Sequence, residues 1–159
     1  MSETLLQMNH IRKHFGDLHV LEDISLEVHR GEVVSIIRPS GSGKSTLVNL
    51  IPRFYDVTEG AIEIDGIDVR DVPQKELRDN IGYIPQKGVL FSGDIASNIR
   101  YGKETATAAE VEQAIAVAQA SEFVAGKEEG IAAPIAQGGT NVSGGQKQRL
   151  SIARALVKR

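Results

Sequence analysis

Residues 33 to 46 read Val-Val-Ser-Ile-Ile-Arg-Pro-Ser-Gly-Ser-Gly-Lys-Ser-Thr. An apolar run at residues 33–37 precedes a turn rich in glycine and serine, and further apolar residues follow at 47–51. This order predicts a buried strand, a loop and a helix that begins near Lys44. The stretch therefore favours an α/β fold in which the loop joins the strand to the helix.

The composition of this loop indicates an anion site. Gly41 and Gly43 let the backbone turn so that successive N–H groups point into one concavity. The positive end of the helix dipole lies beside it. Lys44 supplies a mobile positive charge for outer phosphates, and the Ser45 hydroxyl can ligate Mg²⁺. The loop thus predicts a site for a nucleoside triphosphate; a turn that only links strand to helix is the less favoured alternative.

One position departs from the phosphate-loop pattern G-x-x-x-x-G-K-[ST], because Arg38 stands where the first glycine belongs. An arginine tolerates a positive φ poorly and crowds the loop, although its guanidinium could instead contact the phosphates. We expect weakened nucleotide binding, which Arg38→Gly should relieve. A loss of affinity in that variant would favour the phosphate contact.

Composition sets further limits. The chain has 159 residues, 41% of them hydrophobic, which suits one domain or a piece of one. A formal net charge of −3 gives no indication of a nucleic-acid partner, and the absence of cysteine excludes disulfides and thiolate metal sites. The sequence has neither a secretory signal nor an apolar run of membrane-spanning length. We expect a cytoplasmic chain that reaches a membrane only through a partner.

The remaining pattern divides the chain into two parts, a β-rich part at 1–90 that holds the phosphate loop and a helical part at 91–159. Apolar alternation predicts strands within residues 5–28, a hairpin at 61–69 and a second buried strand at 81–84. Five further helices are predicted: one at residues 75–80, one capped by Asp94, one capped by Thr107, one at 121–125, and one opened by Ser143.

A second cluster of small residues opens the last helix. Ser143 and Gln146 form an S-x-x-Q capping box, and Gly144 and Gly145 occupy the first helical turn. Two glycines there cost about 1 kcal/mol each relative to alanine. Without side chains, they leave N–H groups open to a phosphate. The alternative is an ordinary capped helix whose glycines ease a tight turn.

The two motifs together resemble those of the nucleotide-binding domains of ABC transporters, and the resemblance covers nearly the whole chain. Residues 143–146 are similar to the family's signature motif, with Val142 where leucine is usual. The resemblance implies ATP and Mg²⁺ as ligands. The residues implied to bind the phosphates are Ser40, Gly41, Ser42, Gly43, Lys44, Ser45 and Thr46 in the loop, and Ser143, Gly144, Gly145 and Gln146 in the signature.

Other positions also match the family. Phe15 falls where an aromatic ring stacks on adenine, and Gln86 resembles the glutamine that contacts Mg²⁺ together with Ser45. Lys44 and Gln86 are thereby implied to serve catalysis. Residues 133–139 lie where exporters carry a cross-talk loop, in which the family often has glutamate at the position of Gln137. The family also implies a head-to-tail pair of such domains, with each phosphate loop facing the other's signature, attached to transmembrane domains.

Within the family, residues 14–32 resemble an amino-acid importer and residues 53–159 resemble an exporter, as in a hybrid. The expected fold is a P-loop NTPase core with an antiparallel β subdomain and a helical signature subdomain, cut short before the final strands of its sheet. We then expect the edge of residues 33–37 to lack a partner strand and the chain to self-associate.

Two other classes are compatible with parts of the sequence. A non-catalytic nucleotide-binding or interaction fragment, whether a remnant or an engineered hybrid, would carry the same motifs. A chromosome or DNA-repair ATPase would need a long heptad insertion between them, and a GTPase would need an Asn-Lys-x-Asp motif; neither is present. We therefore prefer the transporter domain.

The sequence offers no match for the family's strand that ends in an Asp, its catalytic carboxylate or its switch histidine. We predict that the 159-residue chain releases no phosphate in the steady state, because the attacking water is neither positioned nor polarised. A phosphate-release assay on purified chain checks this. Sustained turnover that Lys44→Ala abolishes would contradict it.

Overall fold

The computed structural model describes residues 3–37, 39, 41–86 and 88–158. The strands are β1 (Thr4–Phe15), β2 (Leu18–His29), β3 (Glu59–Ile64), β4 (Ile67–Asp68), β5 (Gly93–Asp94) and β6 (Pro134–Ile135). The helices are α1 (Lys44–Leu50), α2 (Gln74–Asp79), α3 (Ile95–Arg100), α4 (Ala108–Val117), α5 (Ser121–Ala125) and α6 (Gly144–Leu156). The chain forms two compact units, Met1–Ile81 and Gly82–Arg159, whereas the sequence pattern predicts a boundary after residue 90.

The first unit is built on an antiparallel sheet with strand order β2-β1-β3-β4. Its centre is β1, where Met8 faces Leu26 of β2 on one side and Ile62 of β3 on the other. Helix α1 covers one face of the sheet. The buried residues of this core are Met8, Ile11, Leu21, Leu47, Leu50, Ile62, Val69 and Leu77. The structure confirms the predicted β-rich opening and the hairpin at 61–69, which the period-two alternation of apolar side chains produces.

The second unit is helical, with α3, α4 and α6 packed around one core. Its most deeply buried residues are Leu90, Ile95, Ile99, Val111, Ala120, Leu150 and Ala153. Each predicted N-cap is confirmed by a reciprocal hydrogen-bond pair. The caps are Asp94 on α3, Thr107 on α4 and Ser143 on α6. Local capping chemistry therefore sets where these three helices begin.

Residues 33–37, predicted to form a buried strand, do not form one. Val33 is 95% exposed and Ile37 is 91% exposed. Within the described ranges, no backbone hydrogen bond involves residues 33–37. A strand requires a neighbour that pairs with its N–H and C=O groups, and no described strand lies alongside this segment. The prediction from apolar composition was wrong for that reason.

The second predicted buried strand, at residues 81–84, is likewise absent. These residues have no regular secondary structure, and the Ile84 side chain is exposed. As with residues 33–37, an apolar run becomes a strand only where another strand supplies hydrogen bonds. The antiparallel strands are present because each finds its partner through a nearby turn or across β1.

None of the helices in the described part of the chain is long and apolar enough to span a membrane.

Glu110, in the first turn of α4, carries a strongly perturbed carboxylate. The Lys103 ammonium, 2.6 Å from Glu110 Oε1, together with the Thr107 N–H and hydroxyl, lowers the pKa of Glu110 to about 2. A carboxyl with a depressed folded-state pKa stabilises the fold above its unfolded pKa, and that contribution is lost as pH falls through the folded value. Stability from this group is therefore complete above about pH 4.5 and disappears towards pH 2.

We predict that Glu110→Gln lowers the free energy of unfolding at pH 7 and that its difference from the unmodified chain narrows between pH 4.5 and pH 2. Urea unfolding followed by circular dichroism at several pH values measures this. Glu112→Gln is the matched control, since Glu112 is exposed on the same helix and has no polar partner among the described residues. A difference for Glu110→Gln that stays constant with pH would contradict the prediction.

Candidate functional site

The phosphate loop has the backbone that its glycines predict. Gly41 and Gly43 both have φ of 81°, in the left-handed region that disfavours residues with a Cβ atom. Gly43 caps α1, and the helix begins at Lys44 as predicted. The first helical hydrogen bond runs from the Leu47 N–H to the Gly43 carbonyl, at 2.9 Å. The N–H groups of residues 44–46 therefore have no acceptor within the helix and point towards the loop.

A close approach between Gly43 and β2 holds the loop against the sheet. A Cβ atom at Gly43 would lie 2.8 Å from the Val20 carbonyl oxygen and 2.9 Å from Leu21 Cδ2. No such atom fits unless β2 moves. The loop also closes on itself, because the Ser42 hydroxyl donates to the Pro39 carbonyl at 2.7 Å. The phosphate loop is thus packed directly against β2 within the first unit.

The predicted loop residues are only partly described. Lys44 and Thr46 are half-buried in the first turn of α1, and the Ser45 side chain there is exposed. Arg38 and Ser40 lie outside the described residues, so the predictions made for them stay predictions.

Phe15 lies at the end of β1, where it pairs with Leu18 across the hairpin turn. The residue is 41% exposed. The Tyr55 ring stands almost perpendicular to it, with ring centres 5.2 Å apart, and the Lys13 ammonium lies 4.7 Å from the Phe15 ring centre. Of these three residues, the sequence motifs predict a nucleotide contact only for Phe15. Tyr55 lies in the exporter-like stretch that begins at Arg53, but nothing in that stretch or around Lys13 indicates a contact with Phe15.

The aromatic pair and the phosphate loop lie along the same strand. Leu18 of β2 faces Phe15, while Val20 and Leu21 abut Gly43. Two to three residues of strand separate these contacts, which corresponds to about 7–10 Å. Ring and loop are therefore close enough for one nucleotide to contact both.

The predicted signature residues adopt the expected capping box. The Gln146 N–H donates to Ser143 Oγ at 3.3 Å, and the Ser143 N–H donates to Gln146 Oε1 at 2.9 Å. Gly144 and Gly145 have open space where a Cβ atom would project, and neither has a positive φ. Neither backbone conformation nor packing in the described structure requires glycine there. This observation disfavours the alternative of a tight turn and leaves an accessible helix N-terminus.

Gln86 lies in the second unit, exposed, in a stretch without regular structure. Since Ser45 belongs to the first unit, the pairing of these two residues on Mg²⁺ stays a prediction. Gln137 begins a short 3₁₀ turn, Gln137–Gly139, next to β6. Among the described residues, no group of three or more His, Asp or Glu side chains is placed to hold a metal ion.

Arg154 of α6 holds the chain that follows Gln86. Its guanidinium donates to the Val89 carbonyl at 2.9 Å and to the Asn98 carbonyl at 2.8 Å, and lies 5.1 Å from the Phe91 ring centre. Burial lowers the pKa of Arg154 from its usual value. Because its hydrogen bonds and ring contact reach Val89, Asn98 and Phe91, this side chain links the signature helix to residues 89–98.

Comparison with known proteins decides the family. The family model for ABC transporters matches residues 21–159. The chain belongs to the ABC transporter family. Its fold also matches a bacterial Atm1-family ABC exporter solved with ATP bound, at a TM-score of 0.92 and 41% identity, over 98% of this chain and 27% of that one. The predicted ABC ATPase fold class is confirmed, although two of the predicted strands are not formed.

Relatives of known name are similar over most of this chain. A provisionally named multidrug export ATP-binding/permease protein of Bacillus subtilis (strain 168) is 49% identical over 88% of the chain and 24% of its own length. An ATP-dependent lipid A-core flippase of Syntrophus aciditrophicus (strain SB) is 45% identical over 96% of the chain and 26% of its own length. The chain thus spans about a quarter of these relatives.

The close packing of Gly43 against β2 can be tested by substitution. We predict that Gly43→Ala lowers the melting temperature more than Gly41→Ala does. Both glycines share a φ of 81°, and a left-handed residue with a Cβ atom costs about 1–2 kcal/mol. Only Gly43, however, would place its new atom against Val20. Thermal unfolding followed by circular dichroism measures both variants, and equal losses would show that the loop does not lie against β2.

Proposed function

We propose that this chain binds Mg-ATP as the nucleotide-binding domain of an ABC transporter and that, in the whole protein, hydrolysis of this ATP drives transport. The observation that carries the proposal is that the phosphate loop packs against β2 only two to three residues from Leu18, which pairs with Phe15. Membership of the family supports it.

Each part of the nucleotide has a candidate partner in the first unit. Phe15 offers a half-exposed aromatic face for the adenine base. The N–H groups of residues 41–46 offer hydrogen bonds to the phosphates, except that of Ser42, which donates to the Pro39 carbonyl. Lys44 offers a positive charge from the first position of α1. The terminal phosphates carry most of the ligand's charge, so we expect loop and lysine to dominate affinity.

The exposed Ser45 hydroxyl suits Mg²⁺, a hard cation that accepts one or two protein oxygens and completes its shell with phosphate oxygens and water. When bound, Mg²⁺ neutralises charge that develops on the phosphates. Gln86 is the second proposed ligand. Lys44 would act on the same charge from the protein side, which is why we assign both Lys44 and Gln86 to catalysis in the whole protein.

The open first turn of α6 supports a second half of the site. Gly144 and Gly145 leave their backbone uncovered, and Ser143 already satisfies one of the N–H groups there. We propose that the signature of one domain, residues 143–146, faces the phosphate loop of a second domain across ATP. Two chains would then bind head to tail, each supplying half of two sites.

The names of the relatives support a membrane partner. The Bacillus subtilis relative is named both ATP-binding and permease, and about three quarters of its length lies outside the match. We propose that this chain functions beside a transmembrane domain, on the cytoplasmic face of the membrane.

A second candidate is a nucleotide-binding fragment that does not hydrolyse ATP. The unpaired residues 33–37 favour it, because the segment that leads into the phosphate loop is not anchored as a strand. Such a fragment would bind ATP weakly and would not hydrolyse it.

The proposal is tested by titrating Mg-ATP into purified chain with calorimetry and following mass by sedimentation velocity. We expect binding that Lys44→Ala weakens at least tenfold, together with ATP-dependent dimers. Gly145→Glu should prevent the dimer without changing binding by the monomer, since the substitution places a carboxylate in open space. Ala116→Glu, which adds the same charge at an exposed position of α4, is the control.

The outcomes separate the candidates. Binding without dimers in the unmodified chain would favour the non-hydrolysing fragment. An absence of binding at millimolar Mg-ATP would contradict both.

A further inference from the structure

The Phe15–Tyr55 pair is an aromatic corner on the surface of the first unit. The two rings lie at 85° with centres 5.2 Å apart, and the residues Phe15 and Tyr55 are 41% and 43% exposed. Neither ring belongs to the buried core of this unit. Two large aromatic side chains that stay half-exposed leave flat apolar surface available to a planar ligand.

Two hydrogen bonds of Thr58, one through its N–H and one through its side-chain oxygen, hold the two sides of this corner in place. The Thr58 N–H donates to the Arg12 carbonyl at 2.9 Å, and the His14 N–H donates to Thr58 Oγ1 at 3.1 Å. These bonds tie the end of β1, next to Phe15, to the segment that carries Tyr55. The corner is therefore set by the fold before any ligand arrives.

Lys13 restricts how a ligand can enter. Its ammonium lies over the Phe15 ring, 4.7 Å from the ring centre, at the distance of a cation–π contact. A planar base that stacks in the corner must therefore use the aromatic surface that Lys13 leaves uncovered. Part of that surface belongs to Tyr55.

We propose that Tyr55 is a second base-contacting residue, which shares with Phe15 the stacking of the nucleotide's purine ring. The inference rests on the proposed function, because it takes the phosphate loop as the site of the triphosphate. The Tyr55 ring, not its hydroxyl, makes the contact, so specificity for the base depends on an aromatic side chain at this position.

The test compares two ligands, Mg-ATP and magnesium tripolyphosphate, which has the phosphates without the base. We expect Tyr55→Ala to weaken Mg-ATP binding about tenfold, within the range for loss of one base–aromatic contact, and to leave tripolyphosphate binding unchanged. Tyr55→Phe should bind both ligands as the unmodified chain does. Calorimetric titration gives the two dissociation constants for each variant.

Phe54→Ala is the matched control. Phe54 is the neighbouring residue, is similarly exposed at 44%, and contacts the Arg78 guanidinium. It should change neither dissociation constant. Tyr55→Leu keeps a large apolar side chain and serves as a second variant in case Tyr55→Ala does not fold. It should also bind Mg-ATP more weakly than the unmodified chain does.

The alternatives give different results. Equal weakening of both ligands by Tyr55→Ala would assign Tyr55 to the structure of the loop and overturn the proposal. Unchanged binding of both would overturn it while the proposed function stands, provided that Lys44→Ala still weakens both. If the unmodified chain binds neither ligand, both proposals fail.

Discussion

The first unit depends on one close approach, that of Gly43 to the backbone of β2. A left-handed residue without a Cβ atom lets the phosphate loop lie against Val20 and Leu21. Because β2 pairs with β1 along its whole length, the same contact sets the distance between the loop and Phe15. Helix α1 then starts at the loop and buries Leu47 and Leu50 against the sheet. The loop, the sheet and the aromatic corner are thus parts of one arrangement.

Strand pairing is the second constraint, because an apolar segment without a pairing partner does not form a strand. Residues 33–37 and 81–84 have the composition of buried strands, yet neither forms one in the described structure. Apolar β-branched side chains favour extended backbone, but a ladder also needs a partner for its N–H and C=O groups. The exposure of Val33 and Ile37 is the consequence. The segment that leads into the phosphate loop is therefore not held in place by strand pairing.

The helical unit is organised by chemistry that is local in the chain. Asp94, Thr107 and Ser143 each accept a hydrogen bond from the residue three positions later, and each opens a helix. Arg154 then makes contacts that are remote in sequence, because it reaches Val89 and Asn98 from the signature helix. The caps determine where the helices begin. The half-buried Arg154 guanidinium holds residues 89–98 against α6.

The sequence by itself determined the features that depend on neighbours in the chain. These are the alternation of β1 to β4, the three N-caps, the need for glycine at 41 and 43, and the two motifs that are predicted to bind phosphate, since each depends on contacts within a few residues. Only the tertiary structure decided which apolar runs become strands and which side chains surround Phe15. Tyr55 is distant from Phe15 in sequence and reaches it because Thr58, which donates to the Arg12 carbonyl and accepts from the His14 N–H, joins its segment to the end of β1. No local pattern encodes a contact of that kind, because the packing of the sheet creates it.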